Sequence, residues 1–128
     1  MIAVDTSALM AILLDEQEAD ACEALLGEED KLLISAGTVA EALIVAGRRN
    51  VAEEMTRLLE GLGFEIVSVT PASARRIAAA YEQWGKGLHP AALNFGDCFA
   101  YEVAKEHDCP LLFVGEDFAR TDLAAALP

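Results

Sequence analysis

The chain begins with "MIAVDTSAL" (residues 1–9), an apolar run that ends at a carboxylate. Met1–Val4 has the composition of a short buried strand, and the apolar spacing of Thr6–Leu14 is typical of a helix. Asp5 therefore lies where a core strand passes into a helix. Because a buried carboxylate is costly without a partner, we expect Asp5 to meet a helix N-terminus, a basic side chain or a metal ion.

Further along the chain, short apolar segments alternate with helical ones. The other strand candidates are Leu32–Ser35, Glu65–Val69 and Leu111–Val114. The other helix candidates are Glu18–Leu26, Thr38–Ala46, Val51–Glu60, a segment that begins at Pro71 and carries Ile77, Tyr81 and Trp84 on one face, and Asn94 to about His107. Strands separated by helices predict βαβ units, and hence an α/β fold with a parallel sheet. With 128 residues and no linker, the chain is expected to form a single domain over 1–128.

The composition of the chain indicates the cellular compartment to expect. No apolar run reaches the roughly 18 residues of a membrane span, and no basic, apolar leader opens the chain. Three cysteines, an odd number without CxxC spacing, argue against a disulfide framework or a zinc site. We therefore expect a cytoplasmic protein in a reducing environment, with no membrane contact.

The formal net charge is −13, from nine basic and 22 acidic residues. A nucleic-acid binder normally shows a basic footprint, so either nucleic acid is not the partner or cations mediate the contact. Lys86, between two glycines, is the best candidate for a phosphate contact. Arg75 and Arg120 are further candidates.

Acidic residues recur near the ends of the predicted strands. Glu41 follows the second strand, Asp97 begins the last long helix, and Glu116 and Asp117 follow the fourth strand. Singly, each acid has an ordinary explanation as a helix cap: "TVAE" (38–41) has a capping-box pattern, and "NFGD" (94–97) is similar. Gathered at one sheet edge with Asp5, the acids would repel each other, so either their pKa values rise or a cation binds. Oxygen ligands without Cys or His select Mg²⁺ or Mn²⁺, which suits phosphodiester hydrolysis.

Four segments, in order, carry a family resemblance. "VDTSAL" (4–9), "LISAGTVAEAL" (33–43), "LNFGDCFAYEVAK" (93–105) and "LLFVGEDFARTDL" (111–123) resemble the signature segments of the PIN domain, and more narrowly of VapC toxins. The resemblance implies a PIN-like (flavodoxin-like) three-layer α/β/α sandwich with a central parallel sheet of four to five strands. It also implies a Mg²⁺- or Mn²⁺-dependent endoribonuclease, usually a homodimer, that cleaves RNA and is held inactive by a VapB-type antitoxin.

By position, Asp5, Glu41 and Asp97 match the three most constant acids of that family, as catalytic and metal-binding residues. Asp117 matches the fourth, with Glu116 as the alternative. Supporting roles fall to Thr6 or Ser7, as the hydroxyl beside the first acid, and to Asn94, which either orients Asp97 or only caps the helix. The remaining alternatives are a catalytically weak PIN-like module that binds RNA or protein, and a sheet without a fifth strand, because only "TDLAAALP" (121–128) remains.

Overall fold

The computed structural model describes residues 1–128 as four strands and six helices. The strands are Ile2–Val4 (β1), Leu32–Ser35 (β2), Glu65–Val67 (β3) and Leu111–Leu112 (β4). The helices are Thr6–Leu13 (α1), Ala19–Glu28 (α2), Ala36–Arg48 (α3), Ala52–Gly61 (α4), Pro71–Trp84 (α5) and Phe95–Glu106 (α6). Every predicted strand and helix is present, although β3 and β4 each end two residues before the predicted boundary.

The strands form one parallel sheet in the order β3-β2-β1-β4. β1 lies inside the sheet, where Ala3 is in register with Leu33 on one side and with Leu111 on the other. Because all four strands run in the same direction, their carboxyl ends meet at one edge, where ligands bind in sheets of this kind.

Alternate residues of β1 and β2 contribute to two separate hydrophobic cores, one on each face of the sheet. Ile2, Val4 and Ile34 pack with residues of α1 to α4 on one face of the sheet. Ala3 and Leu33 pack with residues of α5 and α6 on the other face. Helices therefore cover both faces of the sheet, as the predicted three-layer α/β/α sandwich requires.

The helix starts differ from prediction at one important place. α3 begins at Ala36 and not at Thr38, because Ser35 is its N-cap and accepts a hydrogen bond from the Gly37 N–H (3.1 Å). The predicted capping box between Thr38 and Glu41 is wrong: the Thr38 hydroxyl is buried without a partner, and Glu41 lies in the second turn. The Glu41 carboxylate is consequently available for other contacts. α3 also extends to Arg48, two residues beyond the predicted end at Ala46.

The C-terminal segment runs beside β4. After a 3₁₀ turn at Phe118–Arg120, the Leu111 N–H donates to Ala124 O (3.0 Å) and the Ala126 N–H donates to Leu111 O (2.9 Å). These bonds form one parallel bridge, so a fifth strand exists only as a single pairing. Asp122 fastens the segment to α6, where it accepts hydrogen bonds from Tyr101 (2.7 Å) and Lys105 (2.9 Å). None of the helices is both long and apolar enough to cross a membrane.

Candidate active site

Four carboxylates meet at the carboxyl edge of the sheet, and we call them the acid cluster: Asp5, Glu41, Asp97 and Asp117. The charges of Asp97 and Glu41 both raise the pKa of Asp5, and those of Glu41 and Asp117 raise the pKa of Asp97. Burial is the larger cause of both shifts, but these charge effects show that the four acids lie near enough to influence one another.

Asp5 is the most deeply buried acid of the cluster, with 3% of its surface exposed. Its Oδ2 accepts hydrogen bonds from the Ser7 N–H (3.0 Å) and the Ser7 hydroxyl (2.6 Å). Its Oδ1 is buried without any hydrogen-bond partner. Burial is the main cause that raises the pKa of Asp5 to about 7, and the Ser7 bonds oppose it. An orphaned buried oxygen is an unusual feature, and a bound cation would satisfy it.

The two hydroxyls after Asp5 each hydrogen-bond a carboxylate of the cluster. Ser7 Oγ donates to Asp5 and accepts from the Val114 N–H (3.0 Å), so it joins the exits of β1 and β4. Thr6 Oγ1 donates to Glu41 Oε1 (2.6 Å), which ties α1 to α3. Each hydroxyl therefore holds one carboxylate of the cluster in place.

Gly96 is a residue that the sequence reading missed. A β-carbon at Gly96 would lie 1.8 Å from Glu41 Oε2, so the Glu41 carboxylate packs directly on the backbone at the start of α6. Any side chain at this position would push Glu41 away. A glycine inside the first turn of a helix was the available signal, because glycine is unfavourable there without such a reason.

Asp97 has two roles at once. The Asp97 N–H donates to Asn94 Oδ1 (2.9 Å), and the Asn94 N–H donates back to Asp97 Oδ2 (3.0 Å), which completes a capping box. The pKa of Asp97 nevertheless rises to about 6, mainly through burial and further through the Glu41 and Asp117 charges. Helix capping and membership of the cluster are therefore not alternatives for Asp97, which does both.

Asp117 and Glu116 are both exposed after β4. Asp117 occupies the N-cap position of the 3₁₀ turn but its side chain makes no capping hydrogen bond. Its charge raises the pKa of Asp97, whereas Glu116 contributes no such effect. The structure therefore brings Asp117 to the cluster in preference to its neighbour.

The donor set suits a hard divalent cation. No three acidic, His or Cys side chains converge closely enough to enclose an ion on their own. Mg²⁺ does not need such a cage, because it keeps several waters and binds through one or two carboxylates. The orphaned Asp5 Oδ1 and the raised pKa values of Asp5 and Asp97 match a site of that open kind.

The predicted phosphate contacts lie on the surface. Lys86, Arg75 and Arg120 are all exposed, and none forms a salt bridge or hydrogen bond with the acid cluster. Arg120 Nη1 donates to Pro90 O (3.2 Å), which joins the segment after Asp117 to the loop before α6. RNA contact by these three side chains remains a prediction.

Comparison with known proteins identifies the family of the chain. Residues 2–123 match the PIN domain family. The chain belongs to this family. It is 41% identical over 129 residues to Ribonuclease VapC30 of Mycobacterium tuberculosis, with 98% of each chain covered, so this PIN domain is of the VapC type.

Solved structures share the fold of this PIN domain. Mycobacterium tuberculosis VapC20, described as a sarcin-ricin loop cleaving toxin, superposes with a TM-score of 0.80 at 16% identity and full coverage of both chains. A toxin–antitoxin complex from Klebsiella pneumoniae gives a TM-score of 0.70 at 22% identity, with 95% of this chain and 93% of that chain covered. Both likenesses support the three-layer architecture.

Proposed function

We propose that this PIN domain is an endoribonuclease that depends on Mg²⁺ or Mn²⁺ and acts as the toxin of a VapBC-type pair. The observation that carries the proposal is the uncompensated acid cluster, above all the buried Asp5 with its orphaned Oδ1. The identity to a curated VapC ribonuclease over nearly the whole chain supports the same reaction.

The chain's own residues would organise the reaction around one anionic corner. Asp5 presents Oδ1, since Ser7 engages Oδ2, while Thr6 holds Glu41 and Asn94 holds Asp97. A bound divalent ion would neutralise phosphate charge and make water nucleophilic at neutral pH. The carboxylates repel an RNA phosphate until such an ion is bound, so the cluster itself imposes the metal requirement. In the proposed hydrolysis, water forms the new bond to phosphorus, the bond to the 3′ oxygen breaks, and the products carry 5′-phosphate and 3′-hydroxyl ends.

The test is cleavage of single-stranded and structured RNA by rigorously purified protein. We expect cleavage with Mg²⁺ or Mn²⁺, none with EDTA, and a large loss in an Asp97→Asn variant. The 5′ ends should be substrates for ligation without prior phosphorylation. Full activity in EDTA would refute metal dependence, and 2′,3′-cyclic phosphate ends would refute attack by water.

A VapB-type antitoxin is the proposed protein partner. A partly buried acidic cluster favours a basic side chain from a partner, and the net charge of −13 favours a basic partner segment. Co-expression with the short reading frame next to the gene should yield a complex. Asn substitutions in the cluster should weaken it and reduce its sensitivity to salt.

A homodimer is part of the same proposal. α3 carries Leu43 with 39% of its surface exposed, next to Leu59 of α4, and a second copy would cover this apolar surface. Met55 of α4 is fully buried in the core and contributes nothing to this surface. A monomer at high concentration would refute this part.

One observation favours a second candidate function, a catalytically weak module that binds RNA or protein. The acids of the cluster do not enclose an ion site by themselves. RNA binding without cleavage at saturating Mn²⁺ would favour this alternative over the nuclease.

A further inference from the structure

Phe95 is the most exposed of the large apolar side chains, with 71% of its surface accessible. It is the first residue of α6, directly before Gly96, on which the Glu41 carboxylate packs, and two residues before Asp97. Nothing in the proposed chemistry uses it. Phe95 is not isolated: with the exposed Ile44 and the partly buried Phe99 it forms an apolar patch beside the site residues, and exposed apolar patches often mark binding sites.

One side of the Phe95 ring packs against the ring of Phe99. Phe95 meets Phe99 edge to face, with ring centroids 5.0 Å apart and planes at 84°. Phe99 is in turn pressed against α3, where a β-carbon at Gly37 would lie 2.2 Å from Phe99 Cδ1. The Phe95 ring is therefore braced on one side while most of it faces solvent.

A cavity of about 400 Å³ opens between α3 and the start of α6, within the size range of small-ligand sites. Both phenylalanine rings line it, together with Glu41, Ile44, Val45 and Arg48. Glu41 belongs both to the lining of this cavity and to the acid cluster. Arg48 is exposed and forms no salt bridge, so its guanidinium is free to meet a phosphate.

We propose that Phe95 stacks on an unpaired nucleobase of the RNA, in this cavity, next to the phosphate that lies at the acid cluster. The inference rests on the proposed ribonuclease function and names how that site holds its substrate. Phe95 would be a positioning and specificity residue, with Arg48 close to the neighbouring phosphate.

The charge balance favours a base over other occupants. With nine basic residues against 22 acids, phosphate contacts cannot supply the usual share of RNA affinity. Stacking of a base on an aromatic ring does not depend on charge and tolerates any sequence. A second copy at this place would instead bring another net charge of −13 against the acid cluster.

A fluorescent variant tests binding directly. Phe95→Trp is titrated, in Ca²⁺ to suppress cleavage, with 12-nucleotide oligo(A), oligo(U) and an abasic oligoribonucleotide of the same length. Trp84 supplies the background, which the unsubstituted protein measures. We expect quenching by oligo(A), less by oligo(U) and none by the abasic chain. Equal quenching by all three would show phosphate binding alone and overturn the proposal.

Cleavage kinetics test the role in the reaction. Phe95→Ala and Phe95→Leu should lower kcat/KM roughly 5- to 100-fold, mainly through KM, whereas Phe95→Tyr should retain activity because it keeps the ring. Ile66→Ala is the matched control, since Ile66 is 57% exposed on β3, away from the cluster, and should change nothing.

Three further outcomes separate the possibilities. Unchanged kinetics in Phe95→Ala, with an RNA-cleaving unsubstituted protein, would overturn the stacking role and leave the ribonuclease proposal intact. A change of oligomeric state in Phe95→Ala by light scattering would assign the ring to a contact between copies and overturn the proposal. Failure of the unsubstituted protein to cleave or bind any RNA would overturn both.

Discussion

Two carboxylates are buried to nearly the same degree, and the fold treats them in opposite ways. Glu102 of α6 has 5% of its surface exposed and accepts a hydrogen bond from Arg76 Nε of α5 at 2.9 Å. Asp5 has 3% exposed, meets no basic side chain, and has two other acids as its charged neighbours. Arg76 neutralises the charge of Glu102 within the fold, whereas the charge of Asp5 is left for a cation from outside the chain. Burial of an acid is therefore informative about function only together with the identity of its partner.

The most direct test of the difference between Asp5 and Glu102 is to neutralise each acid in turn. Asp5→Asn should lower RNA cleavage on the order of 100-fold or more, since even groups one step removed from a metal cost 10–100-fold. The same change should raise the melting temperature of the metal-free protein at pH 8, because it removes a buried charge. Glu102→Gln should do the reverse, lowering stability and leaving activity in place. Calorimetry and a cleavage assay on both variants test this prediction. Equal changes of melting temperature and cleavage rate in the two variants would refute the difference between the two acids.

The second prediction concerns pH and follows from the raised pKa values of Asp5 (about 7) and Asp97 (about 6). In the unfolded chain both carboxyls titrate near 3.8, so the folded state binds more protons between about pH 4 and 7. The stabilisation is complete below the unfolded pKa and is lost as pH rises through the folded values. The metal-free protein should therefore lose on the order of 5 kcal/mol of stability from pH 4.5 to pH 8.

Mn²⁺ provides the control for that pH profile. Binding to the native state stabilises by mass action, so millimolar Mn²⁺ should raise the melting temperature at pH 8 and flatten the profile. Asp97→Asn should both stabilise the metal-free protein and weaken the response to Mn²⁺. If this variant lowers metal-free stability and keeps the full Mn²⁺ shift, Asp97 is a helix cap and not a ligand.

The internally paired acid supplies a third prediction. Arg76→Met keeps the aliphatic length of the side chain but leaves Glu102 buried without its cation. We expect a loss of about 1–3 kcal/mol in the free energy of unfolding, limited because Arg76 is 42% exposed. Adding Glu102→Gln should restore much of the loss. A double variant as unstable as Arg76→Met alone would mean that packing, and not charge, explains the effect.

The smallest effect distinguishes two adjacent acids. Asp117→Asn should lower kcat/KM about tenfold, in the range found for groups around a metal site, because its charge acts on Asp97. Glu116→Gln should change it less than twofold. Reversal of this order would move the fourth acid of the cluster to Glu116, which the structure leaves without influence on Asp97.

The sequence was sufficient for the order of elements and for the location of the four acids near the strand ends, because both depend on local pattern and on the rule that parallel strands end at one edge; the role of these acids as metal ligands stays a prediction. It failed where tertiary contacts decide. Thr38 and Glu41 have the spacing of a capping box, yet Ser35 caps α3 instead, and Thr6 engages Glu41 across the gap between helices. Such a contact leaves no trace in linear spacing. The importance of Gly96 likewise follows from a carboxylate 55 positions earlier in the chain, 41 to 96, which comes into contact only after folding.

The two edges of the sheet are protected from pairing with other strands in different ways, and this affects how the protein behaves at high concentration. The outer edge of β4 is covered by the chain's own last residues through the bonds between Leu111 and Ala124 and Ala126. The open β3 edge has only the charged pair Lys31 and Glu65 beside an exposed Ile66. Open edges recruit other strands unless charge or cover prevents it. Removal of residues 123–128 would expose the edge of β4 as a second, wholly apolar edge. We therefore expect the truncated chain to precipitate, although the removed segment contributes no residue to the acid cluster.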